Sequence, residues 1–321
     1  MNYEDHASAL SPDNQLVKEV IYQASQGELQ DWVITYLTNV DPSPTFVEGL
    51  MRQRRWWIGP QDYQLSKLKR TCGPEENMDF FEKDERWESR IKAMTEDLDS
   101  GWMAAPIITE YTPKGLLIRD GNHRLEALLR KGLHKYSTIA WFNSLDDLTS
   151  GCDIQSNTFF LTGTSGSGKT TIVESVQKFL PFVDVHDFDE GGVPKDADEK
   201  WRRERTNHWL EIAQENIKQK KITIICGVSV PTEVKNAPAY SKQLIVHYGV
   251  IHIEPEDVRI RLRKRGWNDS LIDHNITWAQ HLERFVKSEP DNFVVDSSKY
   301  GPDTVTERIC NWVISKTVFL Q

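Results

Sequence analysis

The sequence has few cysteines, no long apolar run and no excess of basic residues. The four cysteines show no metal-ligand spacing, which excludes a zinc finger and argues against a secreted disulfide scaffold. No apolar stretch approaches the ~20 residues that span a bilayer, and Met1 to Asp5 lack the basic and apolar pattern of a signal peptide. We therefore expect reduced thiols in a cytoplasmic protein that makes no use of a membrane.

The charge balance is acidic. Lys and Arg number 39 and Asp and Glu number 48, which gives a net charge of −9. An acidic chain binds nucleic acid and anionic membrane poorly unless it carries a local basic patch. The 321 residues and a hydrophobic fraction of 38% are enough for about two domains with ordinary cores.

Hydrophobic periodicity divides the chain into two regions. Before residue 143 the pattern first predicts helices, which begin after a helix-start signal at Ser11 to Asp13. It then predicts a β-hairpin whose turn is Thr112 to Gly115. The polar stretch 143–157 predicts a boundary, and we expect domains at residues 1–150 and 151–321. The second region alternates strands with helices. It therefore predicts an α/β domain with a parallel sheet and helices on both faces.

The strongest motif follows the strand at Thr158 to Thr162. Gly163 to Thr170 match the phosphate-loop spacing G-x-x-x-x-G-K-[ST] in full, and an amphipathic helix follows. Glycines let successive backbone N–H groups turn toward phosphate oxygens, and the helix N-terminus adds partial positive charge. Lys169 is expected to neutralise the β- and γ-phosphates, and Thr170 to hold Mg²⁺. The residues expected at the nucleotide are Gly163, Thr164, Ser165, Gly166, Ser167, Gly168, Lys169, Thr170 and Thr171.

Two further charged groups suit phosphate chemistry. Asp187 and Asp189 end the next strand, where one carboxylate is positioned to hold Mg²⁺ and one to accept a hydroxyl proton. Arg261 and Arg265 lie four residues apart on a helix, so they share a face that suits triphosphate binding. The alternatives are a pair of solvated turn carboxylates and a solvated basic helix face.

From Thr158 onward the chain resembles small-molecule and nucleotide kinases of the P-loop class, such as the adenylate, shikimate and gluconate kinases. The resemblance implies an ATP- and Mg²⁺-dependent phosphotransferase with a small-molecule or nucleotide acceptor. It places Lys169 and Arg265 at the developing charge and Thr170 and Asp187 at Mg²⁺. Further positions that the resemblance implies are Asp187 or Asp189 as the catalytic carboxylate, Cys226-Gly227 beside the acceptor, Arg261 and Arg265 at the adenine and phosphates, residues 268–275 as a short lid, and Asp296, Ser297 and Ser298 near the adenine.

One departure from the kinase pattern concerns the third strand. Thr223 to Cys226 carry no terminal Asp, so the usual Walker-B carboxylate is missing and Asp187 or Asp189 must replace it. The segment from Asp196 to Leu210 carries Arg202, Arg203 and Arg205 between two tryptophans. These arginines favour an anionic acceptor, and the alternative is an amphipathic helix with buried Trp and solvated Arg.

A second candidate site lies in the N-terminal region. Asp120, Gly121, Asn122, His123 and Arg124 stand between a strand and a helix, a setting that suits an anion site. Residues 104–142 resemble the ParB/sulfiredoxin superfamily, an α+β fold whose members bind nucleotides through this box. The reductase activity of that superfamily requires Cys where this chain has Asn122, so we exclude it. The alternative is a capped helix whose polar residues are structural.

Two other functions remain open at this point. One is a nucleotide-dependent regulatory NTPase, or a DNA-associated switch of the ParB type. The other is a kinase that acts on nucleic acid, which the net charge disfavours. The acceptor and the oligomeric state are not specified by any motif in the sequence.

Overall fold

The computed structural model describes residues 14–321, which form two compact units. Of the described residues, the first unit includes 14–24, 28–153 and 318–321, and the second includes 154–317 and Ser25–Gly27. The helix start predicted at Ser11 to Asp13 lies outside the described residues. Within residues 14–321, no helix combines the length and the apolar character that crossing a bilayer requires.

The first unit is an α+β arrangement around a mixed sheet. Its strands are β1 (Trp56–Gln64), β2 (Cys72–Gly73), β3 (Phe80–Phe81), β4 (Ile107–Thr112), β5 (Gly115–Asp120), β6 (Lys135–Phe142) and β7 (Cys152–Ile154). The main sheet has the order β1-β6-β4-β5, in which β4 and β6 are parallel and the outer pairs are antiparallel. The predicted hairpin across residues 112–115 is the β4–β5 pair.

Helices cover this sheet with the faces that their periodicity predicts. They are α1 (Gln15–Ser25), α2 (Leu29–Asn39), α3 (Pro44–Met51), α4 (Asp84–Asp99), α5 (Asn122–Arg130) and α6 (Leu145–Gly151). Trp32, Val33 and Leu37 of α2 are buried in one cluster with Trp57 and Trp141 of the sheet. A smaller cluster joins Trp87 and Ile91 of α4 to Ala127 of α5.

The polar stretch predicted as a domain boundary contains regular structure. Ser144 caps α6 by accepting the Asp147 N–H at 3.0 Å, and Leu148 is buried. β7 then pairs with the last strand of the chain, Val318–Leu320. The sequence assigned every residue after 150 to the second domain, whereas this strand pairing draws residues 318–321 into the first unit. The division into functional domains at residue 150 stays a prediction.

The second unit contains a five-stranded parallel sheet. Its strands are β8 (Thr158–Thr162), β9 (Val183–Asp187), β10 (Ile222–Cys226), β11 (Val246–His252) and β12 (Asn292–Asp296), in the order β12-β11-β8-β10-β9. Its helices are α7 (Lys169–Phe179), α8 (Glu199–Lys218), α9 (Pro231–Asn236), α10 (Pro255–Lys264), α11 (Asp269–Lys287) and α12 (Pro302–Thr317). All neighbouring strands are parallel, which confirms the predicted α/β class.

Apolar side chains cover both faces of this sheet. On one face, Phe160 and Tyr248 are buried with Trp209 of α8 and Val286 of α11. On the other, the Trp312 ring of α12 stacks on Phe293 at 4.5 Å and meets Phe159 edge-on at 4.9 Å. The central strand β8 is where the strand order changes direction, because β10 lies on one side and β11 on the other. Open α/β sheets bind ligands at the carboxyl end of such a strand.

Candidate functional site

The phosphate loop occupies this switch point. It connects β8 to α7, and two of its glycines have the left-handed backbone that other residues rarely adopt, with φ of 87° at Gly166 and 103° at Gly168. A Cβ on Gly163 would stand 2.5 Å from the Ser167 Oγ, so a larger residue there would displace that side chain. These requirements explain why the motif has glycine at these positions.

Lys169 is folded back onto the loop. Its Nζ donates to the Gly163 carbonyl at 2.7 Å and to the Thr164 carbonyl at 2.9 Å. Burial lowers the pKa of Lys169 to about 8, although the charges of Asp187 and Asp189 act to raise it. The ammonium is thus desolvated and close to the two predicted carboxylates, an environment in which a phosphate group would interact with it strongly.

Two side chains from outside the motif fix the shape of the loop. Asn275 of α11 accepts from the Thr164 hydroxyl at 2.7 Å and donates to the Ser165 carbonyl at 3.1 Å. Arg261 of α10 donates to the Gly166 carbonyl at 3.0 Å and to the Ser297 carbonyl at 2.9 Å. The structure therefore places Arg261 as a brace between the loop and the turn after β12. Its direct contact with a nucleotide stays a prediction.

The stretch predicted as a lid is the start of a helix. Residues 269–275 are the first turns of α11, which begins where the Asn268 Oδ1 accepts the Leu271 N–H at 2.9 Å. Ile272 is buried against Val258 and Leu262 of α10. Ile272 belongs to the apolar face that continues along α11, and the role of residues 268–275 as a lid stays a prediction. This helical pattern was readable in the sequence.

The two carboxylates lie at the carboxyl edge of the sheet. Asp187 is the last residue of β9, and its Oδ1 accepts the Asp189 N–H at 3.0 Å. Desolvation, together with the Asp187 charge, raises the pKa of Asp189. Cys226 ends β10 beside Asp187 in the parallel register, and burial raises the pKa of its thiol to about 12. The edge residue of the third strand is thus a neutral thiol, with a carboxylate on the neighbouring strand.

The arginines predicted to attract an anionic acceptor already have protein partners. Arg205 donates to the Phe188 carbonyl at 2.9 Å and to the Glu190 carbonyl, and it stacks over Trp209 at 4.6 Å. Arg202 binds Glu233 through two hydrogen bonds of 2.7 and 3.0 Å. The Arg205 bonds hold the turn that carries Asp189, and the Arg202 bonds join α8 to α9. They favour a structural role over acceptor binding, and sequence spacing alone did not reveal the partners.

A cleft lies beside the loop. It has a volume of about 330 Å³. Its lining includes predicted residues Ser167, Gly168, Thr171, Arg261, Arg265 and Ser297, together with Tyr300 and Val305. Arg265 is exposed at this cleft and close enough to Lys169 to act on its charge. Tyr300 was not predicted, although an aromatic ring after the Asp296 turn was a usable signal.

Asp296 has a role in the turn itself. Its Oδ1 accepts the Ser298 N–H at 2.8 Å and the Lys299 N–H at 3.1 Å, which closes the turn after β12. The Ser297 N–H and hydroxyl both bond to the His252 carbonyl. The nucleotide contacts predicted for Asp296 and Ser297 remain predictions.

The N-terminal box forms in the first unit with its side chains satisfied by protein groups. Gly121 has a φ of 99° and precedes α5. Arg124 is 5% exposed, pairs with Asp120, and donates to the Tyr36 hydroxyl at 2.8 Å. Burial dominates the lowered pKa of His123, whose Nε2 lies 2.6 Å from Glu82. The Asn122 Oδ1 accepts the Thr71 and Cys72 N–H groups.

This arrangement matches the structural alternative for the box more closely than an open anion site. The buried charge of Arg124 is neutralised, and the partners Tyr36 and Glu82 come from distant parts of the sequence. The phosphate-binding role of Asp120 to Arg124 stays a prediction, in which the backbone N–H groups of α5 would carry the interaction.

Comparisons with known proteins bear on the second unit. Residues 160–296 match a family described as an AAA domain. The structure is similar to a sugar kinase from Janibacter sp. HTCC2649, with 19% identity, a TM-score of 0.37, and coverage of 50% of this chain and 96% of that one. It is also similar to shikimate kinase from Aquifex aeolicus, with 19% identity, a TM-score of 0.35, and coverage of 47% of this chain and 92% of that one. A third similar structure is the tunicamycin resistance protein of Deinococcus radiodurans, with 20% identity, a TM-score of 0.38, and coverage of 51% of this chain and 98% of that one. The search of curated proteins gave no match.

The phosphate loop, the parallel sheet and the family match are consistent with a P-loop NTPase-type fold for the second unit. The family match lies outside residues 104–142, so the ParB/sulfiredoxin resemblance of the first unit stays a prediction.

Proposed function

We propose that the second unit is an ATP- and Mg²⁺-dependent kinase that phosphorylates a small molecule or a nucleotide. The observation that carries the proposal is the desolvated Lys169 ammonium. It is hydrogen-bonded to the Gly163 carbonyl of the loop and interacts electrostatically with Asp187 and Asp189. A cation at the phosphates and carboxylates opposite it are the two charge groups that phosphoryl transfer to an acceptor requires.

The oxygen donors at the site suit Mg²⁺, which prefers hydroxyl, carboxylate and phosphate oxygens. Thr170 in the first turn of α7 and Asp187 at the end of β9 would hold the ion, which neutralises phosphate charge when bound. Asp187 would thereby supply the carboxylate that the third strand lacks, because Cys226 beside it is a neutral thiol.

Residues of the chain account for each step of the transfer. The acceptor oxygen attacks the γ-phosphorus, the bond to the β–γ bridging oxygen breaks, and ADP leaves. Asp189, whose pKa is raised by desolvation and by Asp187, accepts the hydroxyl proton. Lys169 and Arg265 stabilise the charge that develops on the phosphoryl oxygens. The cleft beside Tyr300 would hold the base.

The test combines labelled ATP with a metabolite pool and mass spectrometry. We expect a phosphorylated product that disappears in Asp187→Asn and Asp189→Asn. Asp184→Asn is the matched control, because Asp184 lies on the same strand but bonds to Asn216. Release of inorganic phosphate without any phosphorylated product, stimulated by DNA, would replace the kinase with a regulatory NTPase. Absence of ATP binding in the presence of Mg²⁺ would refute both.

The proposal includes a second phosphate or nucleotide site at Asp120 to Arg124 in the first unit. What supports it is the left-handed Gly121 before α5 and a helix start without a side-chain cap, which leaves backbone N–H groups for an anion. Calorimetry with ATP and CTP compares Lys169→Met, which weakens binding at the other site, with the double variant Lys169→Met/Gly121→Ala, which alters the backbone of the box as well. No heat from either nucleotide would show that the box is structural.

A further inference from the structure

A histidine and three carboxylates meet at the ends of β11 and β12, on residues that the proposed transfer reaction does not use as reacting groups. His252 and Asp296 are partners in the parallel register, and Glu254 follows two residues after His252. One ligand atom from each of His252, Glu254 and Asp296 lies within 4.8 Å of the others. Three side chains with nitrogen and oxygen donors at this spacing are compatible with a single bound cation.

The orientation of the His252 ring is fixed from behind. Its Nδ1 lies 2.8 Å from the Glu283 carboxylate on α11, and Glu283 is in turn bonded to the Lys287 ammonium at 2.6 Å. When the Nδ1–H donates to the Glu283 carboxylate, the Nε2 lone pair of the ring faces Glu254, whose Oε1 is 3.4 Å away. A carboxylate behind a histidine ligand is the usual arrangement around protein-bound metals.

Asp296 is held equally firmly. One of its oxygens accepts two backbone N–H groups of the turn, from Ser298 and Lys299. Backbone N–H groups therefore hold the Asp296 carboxylate in position. The carboxylates of Glu254, Glu283 and Asp296 all lie around the His252 ring. Glu283 is paired with Lys287, so Glu254 and Asp296 offer two negative charges to a cation that displaces the Nε2 proton.

We propose that His252, Glu254 and Asp296 bind a divalent transition-metal ion, with Glu283 as the positioning residue for His252. The imidazole nitrogen favours Zn²⁺, Co²⁺ or Mn²⁺ over the Mg²⁺ of a nucleotide site, since Mg²⁺ prefers an all-oxygen shell. This site differs from the proposed Mg²⁺ position at Thr170 and Asp187 in both residues and chemistry, and the inference stands without the proposed kinase activity.

The site is connected to the phosphate loop through the side chain of Arg261, which bonds to backbone carbonyls. Ser297, the residue after Asp296, bonds to the His252 carbonyl and accepts from Arg261, which also holds the Gly166 carbonyl. A metal at His252 and Asp296 would restrain this turn and, through Arg261, the loop. We therefore assign it a structural role that would rigidify the nucleotide site, with no contact to the reacting phosphates.

The experiment uses the full chain, without nucleotide and in excess Mg²⁺. Equilibrium dialysis with Zn²⁺ is expected to give one ion per chain, and Co²⁺ is expected to give visible absorption bands from a site with a nitrogen ligand. We expect His252→Gln and Asp296→Asn to weaken binding at least 100-fold and Glu283→Gln to weaken it about 10- to 100-fold. His247→Gln is the matched control, since His247 lies on the same strand but faces a single carboxylate, Asp291 at 3.3 Å.

A second measurement needs no variant. Titration of the wild-type chain with Mn²⁺ should broaden the His252 imidazole resonances before those of His247. Unchanged affinity in His252→Gln, equal loss in His247→Gln, or broadening spread evenly over all histidines would overturn the proposal. In that case the cluster is an imidazolium ion paired with carboxylates.

Discussion

Replacement of Lys169 by Met separates the folding role of this residue from its role in catalysis. The pKa of Lys169 falls from its ordinary 10.5 to about 8 in the folded chain, a drop that corresponds to about 3 kcal/mol of unfavourable burial at neutral pH. Met removes that cost, but leaves the Gly163 and Thr164 carbonyls without their donor, which costs about 1–3 kcal/mol each. The opposing contributions are of similar size.

We therefore expect the free energy of unfolding of Lys169→Met, measured in urea at pH 7, to stay within about 2–3 kcal/mol of the wild-type value. Phosphoryl transfer should fall at least about 100-fold, because one preorganised charge is typically worth several kcal/mol in the transition state. Lys169→Arg is the control that keeps the charge and alters its geometry. A folded Lys169→Met variant with wild-type turnover would refute our assignment of the nucleotide to this loop. Loss of the fold would refute the balance of burial and hydrogen bonding.

Three further predictions concern other parts of the chain. Gly168→Ala should lower the free energy of unfolding by about 1–2 kcal/mol through backbone strain alone, because φ is 103° and the added Cβ meets no atom within 4 Å. Calorimetry should also show weaker ATP binding by this variant. Gly101→Ala, with a φ of 90° and equally open space, should show the strain without the loss of binding. Arg124→Met should lower the free energy of unfolding by about 3–5 kcal/mol, because it removes the buried partner of the partly buried Asp120. Arg130→Met breaks exposed ion pairs and should lower it by under about 1 kcal/mol in chemical unfolding. Hydrogen bonds from His247 and Lys316 lower the pKa of Asp291 to about 2. Its stabilising contribution is therefore present above pH ~4 and lost as the pH falls toward 2. Because Asp291 is half-exposed, unfolding of Asp291→Asn should differ from the wild type by under about 1 kcal/mol at pH 7. The two should converge near pH 2, and a constant difference from pH 7 to 2 would contradict the assignment.

Local patterns in the sequence predicted much of the fold. The strand before Gly163, the glycines at 166 and 168 and the amphipathic run of α7 are neighbours in the chain, so their relation needs no knowledge of other segments. The alternation of strands and helices specified a parallel sheet for the same reason. The stretch predicted as a lid begins a helix, with Asn268 as its cap and Ile272 on its buried face, and its role as a lid stays a prediction.

The roles of the arginines needed the tertiary structure. Arg202 and Arg205 are cations in the sequence whether they meet a substrate or a protein group. Their partners Glu233 and Phe188 come from α9 and from the turn after β9. Arg261 similarly holds two carbonyls from segments far apart in the chain. Sequence spacing places a charge on a helix face, but it does not show which acceptor that face meets.

By itself, the sequence determined the phosphate loop, the parallel sheet class and the carboxylates at Asp187 and Asp189, because each depends on residues within about one element of one another. Only the tertiary structure decided that Lys169 is desolvated, that Asn275 and Arg261 shape the loop, and that His252 meets Glu254, Glu283 and Asp296. Burial and cross-strand register set these contacts, and both arise from the packing of segments that are distant in the chain.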